Sequence, residues 1–217
     1  MRAVLFDLDG TFADTAPDLG RAVNQMRAAR GMGPVALSET RHVTSLGARG
    51  LLSVGFGMSP DHPDYAAMRD EFLQIYENNL CCDTRLFPGM AELVDRLEAD
   101  GLYWGIVTNK AERFALPLMK QLGYDARAGC IIGGDTTGQM KPHPAPLLAA
   151  AGILELPPSS CLYVGDDERD IIAGKAAGMK TVAVRFGYLN GSNPDAWGAT
   201  AVVDRADEIL LHIGHDR

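Results

Sequence analysis

The chain lacks any apolar run of the roughly 20 residues that a membrane-spanning helix needs. It also lacks a basic excess: 20 Lys and Arg stand against 28 Asp and Glu, for a net charge of -8. That balance argues against a nucleic-acid surface, which requires clustered cations. It leaves room for an anionic substrate, because a local cluster can differ from the total. Only four cysteines occur, Cys81, Cys82, Cys130 and Cys161, with no Cys-x-x-Cys pair. Neither a structural zinc site nor a redox motif is therefore expected. The histidines, His42, His62, His143, His212 and His215, show no metal-ligand spacing, and His215 lies near an end expected to fray. No internal repeat, low-complexity tract or signal-peptide pattern appears, so a cytoplasmic protein is expected.

What is present is an ordinary globular composition. With 217 residues, 47% of them hydrophobic, the chain is long enough for one full core and a small appended domain. Val4-Leu5-Phe6 reads as a buried strand, and it runs straight into Asp7-Leu8-Asp9-Gly10-Thr11. A carboxylate does not follow such a run unless something pairs with it. Gly10 ends the strand and turns the backbone.

From residue 15 to about 83 the pattern is helical throughout. Thr15 reads as an N-cap, with Pro17 and Asp18 in the first turn. From Phe87 onward, apolar runs near 102–107, 130–132, 161–164, 181–184 and 201–203 alternate with helical stretches. Alternation of this kind predicts an α/β fold with a doubly wound parallel sheet covered on both faces. The expected organisation is a core of residues 1–14 and 84–217, with residues 15–83 inserted as a helical cap over the carboxyl edge of the sheet.

Several of these strands end in polar chemistry. The first gives Asp7 and Asp9, the second Thr108 and Asn109, the fourth Asp166 with Asp170 close behind. Lys141 comes from the loop after the third. In a parallel sheet these ends share one edge, where ligands bind. Four carboxylates crowded there disfavour joint ionisation unless a cation sits among them. Oxygen donors without histidine or cysteine favour Mg2+ over zinc. A dication beside Lys141 can accept a phosphate dianion, and Thr108 and Asn109 offer hydroxyl and amide donors to its oxygens. Taken singly, each feature has a plainer explanation as a turn, a solvated lysine or a helix cap; their coincidence at one edge is what specifies a site.

These motifs, in this order and spanning nearly the whole chain, resemble those of the haloacid dehalogenase superfamily. The resemblance implies a two-step phosphoryl transfer, with Asp7 as nucleophile and Asp9 as general acid and then base. It implies Mg2+ held by the Asp7 carboxylate, the Asp9 main-chain carbonyl and the Asp166 carboxylate. Thr11 and Asp170 would support these groups from behind, with Asp167 a lower-ranked ligand. Thr108, Asn109 and Lys141 would hold the phosphoryl group. An acid at position 9 suits a phosphate ester, whose leaving alkoxide needs a proton, and not a dehalogenase.

The segments 102–110, Phe186-Gly187-Tyr188, Asn193-Pro194 and Trp197-Gly198-Ala199 are similar to the bacterial phosphatases of N-acetylmuramic acid 6-phosphate. The general cast also resembles phosphoglycolate phosphatases. A phosphosugar mutase of the beta-phosphoglucomutase type uses the same two aspartates and stays open. In the cap, Arg49 within Ser45-Leu46-Gly47-Ala48-Arg49-Gly50 is a candidate for a substrate carboxylate, with a surface arginine the equal alternative. Tyr188 and Trp197 are expected to pack. The expected partner is a small phosphorylated metabolite, with no nucleic acid or membrane, and the protein a monomer or homodimer.

Overall fold

A computed structural model describes residues 1–214; His215 falls outside the described residues. The order of elements is β1 (Ala3–Phe6), β2 (Ala13–Asp14), α1 (Ala16–Ala29), α2 (Leu37–His42), α3 (Gly47–Phe56), α4 (Tyr65–Asn78), β3 (Arg85–Leu86), α5 (Met90–Ala99), β4 (Tyr103–Val107), α6 (Glu112–Leu122), β5 (Ile131–Ile132), α7 (Ala145–Ile153), β6 (Cys161–Gly165), α8 (Glu168–Ala176), β7 (Lys180–Val184) and β8 (Ala201–Val203). A 3-10 segment over Ala206–His212 follows.

Six strands form one parallel sheet in the order β5-β4-β1-β6-β7-β8. β1 lies in its middle because its side chains are apolar on both faces. Val4 and Phe6 join Trp104, Ile106, Leu162 and Val164 under α5 and α6. Ala3 and Leu5 join Val107, Cys161 and Tyr163 under α7 and α8. Period-two alternation therefore serves two cores rather than a core and a solvent face. Cys130 and Cys161 are buried in the second core, as their apolar surroundings imply.

The four helices α1–α4 leave and rejoin the sheet domain through β2 and β3, which pair antiparallel, Ala13 with Leu86 and Asp14 with Arg85. No sequence signal marks this two-residue ladder; it is too short for a periodic pattern. Phe12 anchors the exit. It is fully buried, stacks on Trp104 at 5.5 Å and meets Tyr124 edge-on at 5.6 Å. Burying rings of this size contributes about 2–3 kcal/mol each. Asp18 fixes the return: its carboxylate accepts from Asp83 N, Thr84 N and Thr84 Oγ1 at 2.7–3.0 Å. The helical run expected to continue from residue 38 to 46 breaks after His42. Thr44–Leu46 forms a 3-10 turn before α3 starts at Gly47. Among the described residues, no helix is long and apolar enough to cross a membrane.

Candidate active site

The strand register builds the site. Phe6 is level with Ile106 on one side and Val164 on the other. Asp7, Val107 and Gly165 therefore share the next level, and Thr108 and Asp166 stand one residue beyond. The backbone ladder continues there, with Asp7 N donating to Val164 O at 2.9 Å and Thr108 N to Ile132 O at 2.9 Å. β6 ends in glycine for a spatial reason: a Cβ on Gly165 would lie 2.2 Å from an Asp170 oxygen. Gly10, at φ +87°, turns the chain against Asp166, where a Cβ would come within 2.1 Å of Oδ2. The motif glycine is thus required by conformation and by contact.

Asp7, Asp166 and Asp170 each offer an oxygen within 4.8 Å of the others. Lys141 Nζ lies 2.9 Å from Asp7 Oδ1 and 2.7 Å from Asp170 Oδ1. It also reaches Val107 O at 3.1 Å and Tyr163 Oη at 2.7 Å. Tyr163 donates to Val107 O at 2.7 Å, so strand ends β4 and β6 and the Lys141 loop share one buried knot. Asp7 Oδ1 additionally accepts from Leu8 N at 2.7 Å, whereas Oδ2 has no partner among the described residues. Asp166 accepts from Thr11 Oγ1 at 3.0 Å and from Tyr188 N at 2.8 Å. Asp167 serves elsewhere, capping α8 and pairing with Arg169 at 2.8 Å.

Asn109 is placed differently from its expected neighbours. Its Nδ2 donates to Lys141 O and its Oδ1 accepts from Lys141 N, both at 2.9 Å. Its carboxamide thus clamps the Lys141 loop. Thr108 Oγ1 accepts from Lys110 N at 3.2 Å, which leaves its hydroxyl proton free to donate. Arg49 sits exposed in the first turn of α3, beside a cavity of about 280 Å³, with no partner among the described residues. Tyr188 and Trp197 are buried, as packing residues should be. The Tyr188 hydroxyl accepts from Thr15 N and Ala16 N and donates to Asp14 at 3.0 Å. It satisfies the start of α1 in place of Thr15, whose own hydroxyl is drawn to Asp9 at 2.5 Å.

Lys110 is the member that the sequence pattern did not single out. Its Nζ lies 3.0 and 3.3 Å from the two Asp9 oxygens. The available signal was its place next to the strand-end pair Thr108-Asn109, on an edge too acidic to leave a lysine unpaired.

Charge decides what the group can hold. Asp7, Asp9, Asp166 and Asp170 face Lys110 and Lys141, so two negative charges remain uncompensated. Burial pushes the Asp7 carboxyl up to about 6; Lys141 opposes this and Asp170 adds to it. Burial, then Asp7 and Asp170, hold Asp166 well above the usual carboxylate range. Burial alone would lower Lys141, but Asp170 and Asp7 keep it above its ordinary value. Clustered hard oxygens with a deficit of two positive charges fit a divalent cation.

A stability signature follows. Asp7 titrates near 6 when folded and near 3.9 when unfolded. The folded state therefore binds its proton more tightly. In EDTA, this contribution is full below about pH 4 and is lost as pH rises through about 6, at a cost of about 1–3 kcal/mol. Added Mg2+ is expected to raise Tm at pH 7 and to do little at pH 4.5. Asp166→Asn is expected to melt at or above the wild type in EDTA at pH 7 and to gain nothing from Mg2+. A wild-type Tm indifferent to Mg2+ at pH 7 would contradict this.

Relatives share this frame. Residues 4–184 match the family of haloacid dehalogenase-like hydrolases. The chain is 46% identical over 210 residues to an N-acetylmuramic acid 6-phosphate phosphatase of Pseudomonas putida, covering 96% of this chain and 94% of that one. It is 45% identical over 212 residues to a phosphoglycolate phosphatase of Xanthomonas campestris, covering 96% and 94%. A phosphoglycolate phosphatase of the same Pseudomonas putida strain is 36% identical over 213 residues, covering 96% and 78%. With matches over nearly its full length and a family frame from β1 through β7, the chain belongs to the haloacid dehalogenase-like hydrolases.

Proposed function

We propose that this protein is a Mg2+-dependent phosphomonoesterase working through an aspartyl-phosphate, with N-acetylmuramic acid 6-phosphate as its substrate. The observation that carries the chemistry is Asp7: one oxygen is tied to Lys141 and Leu8 N, and the other is free. That free oxygen attacks phosphorus as the ester P–O bond breaks, and the protonated Asp9 gives its proton to the departing alkoxide. In the second half, Asp9 takes a proton from water, the water oxygen bonds to phosphorus, and the Asp7 O–P bond breaks. Asp9 ends protonated, ready for the next cycle. Asp7, Asp166 and the Asp9 main-chain carbonyl would hold Mg2+, which supplies positive charge to the phosphoryl oxygens. Lys141 and the Thr108 hydroxyl stabilise the same oxygens, and Asn109 acts by holding the Lys141 loop. Thr11 and the Tyr188 N–H keep Asp166 aimed.

The substrate reading rests on the comparison within Pseudomonas putida. There the chain sides with the muramic acid phosphatase over the phosphoglycolate phosphatase, 46% against 36%. The Xanthomonas campestris relative, at 45%, keeps phosphoglycolate as the second reading. Phosphate release from N-acetylmuramic acid 6-phosphate, phosphoglycolate and hexose phosphates, side by side without an activating bisphosphate, separates the possibilities. The muramic substrate is expected to give the highest kcat/KM. Phosphoglycolate leading would establish the second reading, and no release from any ester would point to a mutase.

Residues 15–83 are proposed as the cap that selects the substrate. Arg49 is exposed there, has no partner among the described residues, and suits a carboxylate. Arg49→Ala is expected to raise KM about tenfold for carboxylate-bearing substrates and to leave an aryl phosphate unchanged. An equal effect on both would remove Arg49 from recognition.

A further inference from the structure

Asp9 stands apart from the three carboxylates that close within 4.8 Å of one another. Its two oxygens face Lys110 at 3.0 and 3.3 Å, and Oδ1 also accepts from Thr15 at 2.5 Å. The lysine side chain is only 7% exposed. Its ammonium lies 4.6 Å from the ring centroid of Tyr76, which belongs to α4 of the helical insert. That ring is itself held between Phe72 of the insert, at 6.5 Å, and Phe114 of the sheet domain, at 5.6 Å. Burying an ammonium is costly unless charge and dipoles compensate it. Here a carboxylate on one side and an aromatic face on the other do so, and they come from different parts of the chain.

We infer that Lys110 is a positioning residue that aims the Asp9 carboxylate, and that Tyr76 makes this aim depend on the insert being seated on the sheet domain. The inference rests on the reading of Asp9 as the proton handler of a phosphomonoesterase and adds what orients it. Thr15 grips one oxygen only, and about that single bond the carboxylate can still swing. Lys110 spans both oxygens and removes that freedom. The same ammonium stabilises the anion that Asp9 becomes as its proton passes to the leaving oxygen. Lys110 acts through Asp9 and is given no contact with substrate.

The consequence is a dependence on leaving group. A sugar or glycolate alkoxide cannot leave without its proton; nitrophenolate can. The quantity to compare is kcat/KM, which covers only the steps through departure of the alcohol. The later need for Asp9 as a base then does not enter. In saturating Mg2+, Lys110→Met is expected to lower kcat/KM about 10–100-fold for the best alkyl phosphate, and less than about threefold for p-nitrophenyl phosphate. Tyr76→Leu is expected to show the same preference at about 3–10-fold. Tyr76→Phe keeps the ring face and removes a hydroxyl that lies close enough to Lys110 to favour its charge; because the ring face is what seats the ammonium, it is expected to stay within about twofold on both substrates.

Equal losses on the two substrates would overturn the inference, as would an undiminished alkyl rate. Should Lys110→Met fail to fold, the Tyr76→Leu and Tyr76→Phe pair decides by the same criterion. A wild type that releases phosphate from no ester would overturn the phosphatase reading itself, an outcome distinct from an active wild type with unselective variants.

Discussion

Replacing Asp7 by asparagine is expected to lower kcat by about four to six orders of magnitude while leaving the fold intact. The size follows from the loss of the nucleophile, since enzymes stripped of one retain only what positioning and electrostatics supply. The amide has nearly the same shape and can still accept from Leu8 N and Lys141 through its oxygen. What it loses is the nucleophilic oxygen and the charge shared with a cation. Burial already pushes the Asp7 carboxyl up to about 6, so removing the charge relieves the protein without a cation. Its Tm in EDTA at neutral pH is therefore expected to match or exceed that of the wild type. Activity and stability should move in opposite directions, which separates chemistry from unfolding. Wild-type protein quenched in acid during turnover should carry a phosphoryl group labile to hydroxylamine, and Asp7→Asn should carry none. Activity within tenfold of the wild type would mean that water attacks the ester directly.

Lys141→Met is expected to damage both properties. The lysine side chain is 2% exposed, and its ammonium ties together Asp7, Asp170, Val107 O and Tyr163 Oη. Methionine fills much of the space but leaves two buried carboxylates facing each other. Breaking a buried ion pair from one side costs about 3–5 kcal/mol, which denaturant unfolding would measure directly. Turnover should fall about 10³-fold, because one cation is lost from the phosphoryl oxygens. Adding Asp170→Asn to Lys141→Met removes one orphaned charge. It is expected to recover part of the stability and none of the turnover. A single-variant loss below about 1 kcal/mol would show that the knot is not held by its lysine.

How far the sequence reached depended on whether a residue's neighbour was implied by strand geometry or by the path of a loop. Asp7, Thr108 and Asp166 were readable as a group because apolar strands in a parallel sheet must align their ends, and the register brings Thr108 and Asp166 to within one residue of the level of Asp7. Lys141 came from a loop, yet an acid-rich edge demanded a cation. Tyr163 was hidden inside an apolar run, since a core tyrosine and one that meets a buried lysine look alike in sequence. The ladder β2–β3 was too short for any periodic pattern. Lys110 and Tyr76 meet only because α4 folds back over the end of β4, a tertiary fact that no local pattern carries. Asn109 was legible as a polar strand end, but its commitment to the Lys141 backbone depended on the course of the following loop.

The paired strands β2 and β3 bear on how such a protein can change over evolutionary time. Because Asp14 and Arg85 are backbone partners, the helices between them form a cassette whose two ends lie side by side. Exchanging that cassette asks the recipient to match a single spacing, so recognition can diverge while phosphoryl chemistry is inherited unchanged. The exceptions are contacts that cross the boundary, among them Thr15 on Asp9, Thr15 N and Ala16 N on the Tyr188 hydroxyl, Arg41 on Asp14, the Ser45 carbonyl under Arg169, and Tyr76 over Lys110. A chimera that carries the helices without these matched partners would inherit a different specificity along with a poorly aimed Asp9. Those contacts should therefore travel together in any successful graft.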